Sequence, residues 1–275
     1  MKHAVVGLIG ASLIGVLVWT PGSVPGAAAA PPRAPVVVIV MENHTFVQIM
    51  NDPSASYLDH TFVPSGTLFT NYSAVTHPSL PNYLAMAAGS PWGCHTDSCP
   101  PNSFRRNNLF LQLDTAGIGW EAWDDSMPSN CFQSNSGNYV VRHNPAVYFT
   151  NVVAGGSCAQ HDVGYPSKMP STLPPFTFIT PNVCHDMHSC TVATGDSWLS
   201  HHVPALLGAG AIVVITFDEG TVGSNRVLTA ISGPGVPAGS SDAAAYSHYG
   251  LLAGLENYFG LTNLKNAGSA TPLPI

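Results

Sequence analysis

The chain has 275 residues, 45% of them hydrophobic and only 8% charged, with a net charge of −7. Its 8 Lys and Arg form no cluster beyond Arg105-Arg106, and no basic amphipathic stretch is present. That composition argues against a nucleic-acid partner and against adsorption to an anionic membrane surface.

In chain order, Lys2 and His3, an apolar stretch over 4–19 and small residues at 27–30 read as a secretory signal peptide spanning 1–30. A membrane anchor is the alternative, but the apolar stretch is short for a span and Pro21, Gly22, Pro25 and Gly26 follow it. No later segment is long and apolar enough to cross a bilayer, so an exported chain with no stable membrane anchor is expected. The remainder, 31–275, is about 245 residues, enough for a single α/β domain.

Residues 35–41 (PVVVIVM) predict a strand covered on both faces, and it runs straight into Glu42-Asn43. A loop or short helix is expected over 53–64, and a second strand over 67–72. The segment 80–88 has helical composition and stops at Gly89, which puts Ser79 at the N-cap. A helix over 109–116 and a strand over 118–123 follow; 128–175 is polar, rich in turn residues and without periodicity. A short buried strand at 176–180 ends at Pro181-Asn182, and a helix is expected over 196–207. Residues 211–217 (AIVVITF) repeat the first pattern and run into Asp218-Glu219. A strand at 227–232 and an amphipathic helix over 246–259, closed by Gly260, complete the chain. Strands alternating with helices predict one layered α/β domain.

All six cysteines lie downstream of the leader, and an even number in an exported chain reads as disulfides. Spacing favours Cys94–Cys99 and Cys184–Cys190 as short local loops, leaving Cys131–Cys158.

Four places carry chemistry. Acids at the ends of two parallel strands fall where open α/β sheets bind ligands, and Glu42, Asn43, Asp218 and Glu219 offer the carboxylate and amide oxygens that hard divalent cations take. Read without function, each pair is a turn or a helix cap. Ser79 faces the unpaired N–H groups and positive end of a helix, a place for a phosphate or a developing anion, and His77 and Asn82 flank it. Its plain alternative is an ordinary N-cap. The loop CHDMHSC presents His185, Asp186 and His188 at the same sheet edge, as a structural zinc site or as a disulfide-stiffened loop that supplies a general acid. His248 starts the last helix and is either a surface cap or a ligand and phosphate contact. His143, His201 and His202 read as structural or surface groups.

Together these segments resemble the bacterial phosphoesterase family of secreted acid phosphatases and phospholipases C. The resemblance is carried by MENHTF at 41–46, THPSLPNYLAMAAG at 76–89, PNVCHDMHSC at 181–190, GDSWLSHHV at 195–203, VVITFDEG at 213–220 and SHYGLLAGLENYFGL at 247–261. Family order is kept over nearly all of 31–275, and the short length is most like the compact acid phosphatases, phosphoinositide phosphatases included. The resemblance implies an alkaline-phosphatase-like three-layer α/β/α sandwich. It implies a divalent metal ion of unspecified identity held by Glu42, Asn43, Ser79, Asp218 and Glu219, with Ser79 as nucleophile on a phosphate-ester substrate. Asp186, His188 and His248 fall where the wider superfamily places further metal or phosphate groups, and His77, Asn82 and His185 become substrate contacts. A phospholipase C-type phosphodiesterase is the nearest alternative function; a catalytically inactive metal-binding module is the other.

Overall fold

An all-apolar strand is stable only where both of its faces are covered. The computed structural model describes residues 1–4, 7, 33–221, 223 and 225–275, and in it the first such run is β1 (Val36–Met41), every residue of it buried. The expected leader, 1–30, lies outside the described residues apart from 1–4 and 7.

The chain continues through α1 (Phe46–Ile49), β2 (Thr67–Phe69), β3 (Tyr72–Ser73), α2 (Ser79–Ala88), α3 (Leu109–Ala116) and β4 (Trp120–Asp124). Then come α4 (Thr150–Val153), α5 (Ser157–His161), β5 (Asp162–Gly164), β6 (Phe176–Thr180), α6 (Val192–Gly208) and β7 (Ile212–Phe217). The last elements are β8 (Thr229–Ser232), β9 (Ser240–Asp242), β10 (Tyr246–Ser247) and α7 (His248–Phe259). Eight strands form one sheet in the order β5-β4-β6-β1-β7-β8-β2-β9. The five from β5 to β7 are mutually parallel; β8 runs antiparallel to both β7 and β2. Strands β1, β6 and β7 are buried throughout, and α2 packs on α3 and α7 while α6 packs on β7. The result is the three-layer α/β/α sandwich expected.

Several boundaries shift by a few residues, and three of the differences bear on the site. The strand read over 67–72 breaks after Phe69, and Tyr72–Ser73 pairs instead with β10 in a separate two-stranded sheet. The same pairing takes Tyr246 and Ser247 out of the helix read over 246–259, which begins at His248. Ser79 is the first helical residue of α2 rather than its cap. Pro78 holds the extended cap conformation, so the Ser79 side chain is not spent on the helix end.

The β1–β7 register brings the two acid-tipped strand ends together. Met41 lies opposite Phe217, and the Asp218 amide donates to the Met41 carbonyl at 2.9 Å. Glu42 and Asp218 therefore leave the sheet side by side. On the other flank the Glu42 amide donates to the Asp186 carbonyl at 2.8 Å, so the loop after β6 reaches the same edge. All three cysteine pairs favoured by spacing form, and Cys184–Cys190 closes that loop. Helix α6 packs on it through Gly195, where a Cβ would come within 2.4 Å of the Met187 side chain and 2.8 Å of the His185 carbonyl. Among the described residues no helix is long and apolar enough to cross a membrane.

Candidate active site

Ser79, freed from capping, donates its hydroxyl to Glu42 Oε2 at 3.1 Å. Asn43 turns the chain at a φ of 51°, a left-handed conformation that asparagine tolerates better than most residues. Its amide donates to Asp218 Oδ1 at 3.1 Å, while Asn43 Oδ1 and Asp218 Oδ2 are buried without a partner. Of the five residues expected to hold a cation, Glu42, Asn43, Ser79 and Asp218 thus converge directly. Glu219 is adjacent in sequence but turns Oε2 to His77 Nδ1 at 2.8 Å.

Asp186 and His143 complete the cluster. His143 Nε2 lies 3.3 Å from Glu42 Oε2 and its Nδ1 lies 3.4 Å from Asp186 Oδ2. Neither contact is aligned as a hydrogen bond: both ring nitrogens and Asp186 Oδ2 are buried and unpartnered. The ring is 1% exposed and stacks on Tyr83 at 5.2 Å, and the Tyr83 hydroxyl donates to Glu42 Oε1. Of the reading of His143 as a structural or surface group, the surface half is therefore corrected: the side chain is buried beside Glu42 and Asp186. It sits in an irregular, turn-rich stretch with no period to reveal an inward face. The one sequence signal that bears on it is the apolar run at 146–149 immediately after it, all of which is buried. Its carbonyl accepts from Thr180 Oγ1 at 3.0 Å. The neighbouring Asn144 is anchored on both Asp162 oxygens, at 2.9 and 3.0 Å.

The electrostatics are those of an anionic cluster short of a cation. Burial, then the charges of Asp218 and Asp186, push the Glu42 carboxyl well above its usual range. Burial raises Asp186 to about 8, and burial with the neighbouring Glu219 raises Asp218 to about 7 against the stabilising Ser79 hydroxyl. Burial, then Arg142 and His188, hold His143 well below its usual value, so it is a neutral imidazole with a lone pair to offer. Glu42, His143 and Asp186 bring ligand atoms within 4.8 Å of one another. Buried carboxylates that repel one another beside unpartnered amide and imidazole atoms are a donor set that fits a divalent cation.

The remaining expected residues divide. Asn82 is not placed to touch a substrate. Its side chain accepts from the Val75 and Thr76 amides and donates to the Thr76 and Pro78 carbonyls, which spends all four of its hydrogen bonds on the loop before Ser79. His248 is fully buried behind the cluster. Its Nε2 lies 2.5 Å from the Asp218 carbonyl and its Nδ1 2.9 Å from the Tyr72 hydroxyl. Burial lowers it to about 4, so it supports the Asp218 backbone and holds no proton to give at ordinary pH. His188 is at the rim, with Nε2 3.4 Å from an Arg142 guanidinium nitrogen; burial and that arginine lower its pKa. His185 points away, its Nδ1 2.5 Å from Asp125 Oδ2 and its ring stacked on Trp198. His77 is the histidine that remains partly exposed next to Ser79, at 39%.

The profile of the phosphoesterase family matches residues 52–262. A phosphatidylinositol-3-phosphatase of Mycobacterium tuberculosis is 33% identical over 280 residues, covering 98% of this chain and 92% of its own length. A phosphate-repressible acid phosphatase of Penicillium chrysogenum is 32% identical over 83% of the chain, which spans 59% of that relative. Among solved structures, a protein of the alkaline phosphatase superfamily from Vibrio parahaemolyticus superposes with a TM-score of 0.57 at 11% identity, over 86% of this chain and 70% of that one, a likeness of fold. With the profile covering most of its length and a 33% identical relative nearly end to end, this chain belongs to the phosphoesterase family.

Proposed function

We propose that the chain is an exported, divalent-metal-dependent acid phosphatase that hydrolyses phosphate monoesters through a phosphoserine on Ser79. The observation that carries the reading is a serine hydroxyl on the first turn of a helix, 3.1 Å from Glu42, beside a buried cluster of carboxylates whose outer atoms lack partners. The acid phosphatase and phosphatidylinositol-3-phosphatase names of its relatives support a phosphoric monoester hydrolase, with phosphoinositides among the substrates. Three disulfides fit an oxidising compartment, in keeping with the expected leader.

Glu42, Asn43, Ser79 and Asp218 would hold the cation, and Asp186, His143 and Glu219 offer further donors to it. When bound, the ion lowers the pKa of the serine hydroxyl and neutralises charge on the phosphoryl group. Oxygen ligands suit calcium, magnesium or manganese, and the His143 imidazole admits zinc or iron.

Ser79 Oγ attacks phosphorus as its proton passes to Glu42 Oε2, the carboxylate oxygen that accepts its hydrogen bond at 3.1 Å. The bond to the leaving oxygen breaks, and that oxygen takes a proton from His77, whose ring Glu219 orients through Nδ1. Water then cleaves the phosphoserine and releases inorganic phosphate. His77 replaces His188 and His248 in the donor role because it alone of the three is partly open and held by a carboxylate. The α2 N-terminus lends its dipole to the phosphoryl oxygens.

The test is acid-quench trapping of phosphate on Ser79 during turnover of a nitrophenyl phosphate, beside a nitrophenyl phosphorylcholine as the diester. Label on Ser79 with strong preference for the monoester is expected. Preference for the diester, or turnover undiminished in Ser79→Ala, overturns the reading.

A further inference from the structure

Arg142 brings a guanidinium into contact with side chains around the site, His188 and Asp97. Arg33, Arg106, Arg226 and Lys265 are laid over the rings of Tyr258, Trp92, Phe46 and Trp92. Arg142 instead has Nε 3.8 Å from Asp97 Oδ2 and a terminal nitrogen 3.4 Å from His188 Nε2, with its side chain 20% exposed. Since His188 must accept at that contact, the guanidinium keeps unused N–H groups for another acceptor.

A closed circuit of contacts links that guanidinium to Ser79. Ser79 bonds to Glu42, Glu42 lies 3.3 Å from His143, and His143 is the chain neighbour of Arg142. Arg142 pairs with Asp97, whose Oδ1 accepts the Leu80 amide at 3.0 Å, and Leu80 follows Ser79. The guanidinium therefore closes a ring of side chains whose opposite point is the nucleophile. Asp97 sits between Cys94 and Cys99, so a five-residue disulfide separation stiffens the loop that carries it.

We propose that Arg142 binds a nonbridging oxygen of the substrate's phosphoryl group and that Asp97, held by the Cys94–Cys99 loop, is the residue that positions it. The inference rests on the assignment of Ser79 as the nucleophile of a phosphoesterase. A site lined by Glu42, Asp97, Asp186, Asp218 and Glu219 repels a phosphate monoester dianion, and a planar donor that meets its oxygens in a fixed fork offsets that repulsion. Asp97 also accepts the Leu80 amide in the first turn of α2, so the arginine and the helix end are tied to one carboxylate.

The experiment uses the full disulfide-bonded protein with its metal, inorganic phosphate as probe and nitrophenyl phosphate as substrate. Arg142→Ala is expected to raise both KM and the inhibition constant for inorganic phosphate about 10- to 100-fold, as loss of a hydrogen bond to a charged group does. Arg142→Lys recovers part of that loss, and added guanidinium rescues Arg142→Ala. Asp97→Asn weakens phosphate binding in the wild type and has no further effect on it in the Arg142→Ala background. Should Arg142→Ala fold poorly, wild-type protein serves: inorganic phosphate is expected to slow arginine-selective modification of Arg142 by phenylglyoxal, read by mass spectrometry. Phosphate affinity within twofold of wild type in Arg142→Ala, or unprotected modification, sinks the assignment. Ser79→Ala, run alongside, separates the two ideas. If Ser79→Ala keeps turnover, the nucleophile is wrong; if it is dead while Arg142→Ala binds phosphate normally, only the arginine is wrong.

Discussion

Two buried acid clusters lie at the carboxyl edge of this sheet, and they are built differently. Asp124 and Asp162, at the end of β4 and the start of β5, are 2% and 0% exposed. Asn144 donates to both Asp162 oxygens, burial raises Asp162 to about 6, and burial with the Asp162 charge holds Asp124 well above its usual range, with Asp124 Oδ1 left without a partner. Glu42, Asp186 and Asp218 are as deeply buried, yet their neighbours Asn43 and His143 keep buried polar atoms without partners. In the first cluster an amide meets both oxygens of one acid and a single oxygen, Asp124 Oδ1, stays bare. In the second, five atoms stay bare, the two nitrogens of a neutral imidazole among them, and we propose that a divalent cation is the partner they lack. Burial does not distinguish the clusters; the number and kind of unpartnered atoms do.

Removing that missing partner is the strongest way to break the comparison. Chelation is expected to lower phosphatase turnover by at least about 10³-fold, with recovery on adding back the cation identified by elemental analysis. An enzyme indifferent to chelator would make the second cluster no more than another group of buried acids.

Stability against pH sharpens the same contrast. In the folded, metal-free protein the carboxyls of Glu42, Asp186 and Asp218 are raised, the last two to about 8 and about 7, while in the unfolded chain they titrate near about 4. Raised acids bind more protons when folded, so their contribution is fully present below about pH 4 and is lost as pH climbs through 7 to 8. The metal-free protein should lose on the order of several kcal/mol between pH 5 and pH 8, read as a falling Tm, and the cation should flatten that slope. Identical slopes with and without cation would refute the assignment of these acids to a metal.

A smaller effect is expected from His143→Gln, which keeps a buried polar group but not the imidazole. Metal affinity by calorimetry should fall about 10- to 100-fold, with turnover falling at subsaturating metal. Unchanged affinity would return His143 to a packing role against Tyr83. The mildest intervention is Asp162→Asn, which leaves Asn144 facing an amide. About 1–3 kcal/mol of stability should be lost, with metal stoichiometry at saturation unchanged. A variant that loses its metal instead would show that the two clusters act as one.

The features legible in the sequence are those whose residues carry a periodic or local signal. The runs at 35–41 and 211–217 announced buried parallel strands because nothing in them alternates, and the acids after them were adjacent in sequence to the signal. The register Met41 opposite Phe217 then made two separate hints into one site. Ser79 was legible as a helix start, but its place inside the helix depended on the conformation of Pro78. Asn82 and His248 were legible as polar residues near the site. Whether they face it was not, because their hydrogen bonds go to the Val75–Thr76 backbone and to Tyr72, partners chosen by the chain's path. His143 was illegible. Its inward face is set by stacking on Tyr83 and by the Asn144 anchor on Asp162, 18 residues further on.

By itself, then, the sequence determined the sheet, the cysteine pairs and the acid-tipped strand ends, because burial on both faces and short spacings are properties of contiguous residues. Tertiary structure alone decided which acids lie together, which histidine offers a lone pair and which side chains Arg142 meets. Those depend on strand register and on contacts between segments more than a hundred residues apart, such as Glu42 with His143 and Asp186.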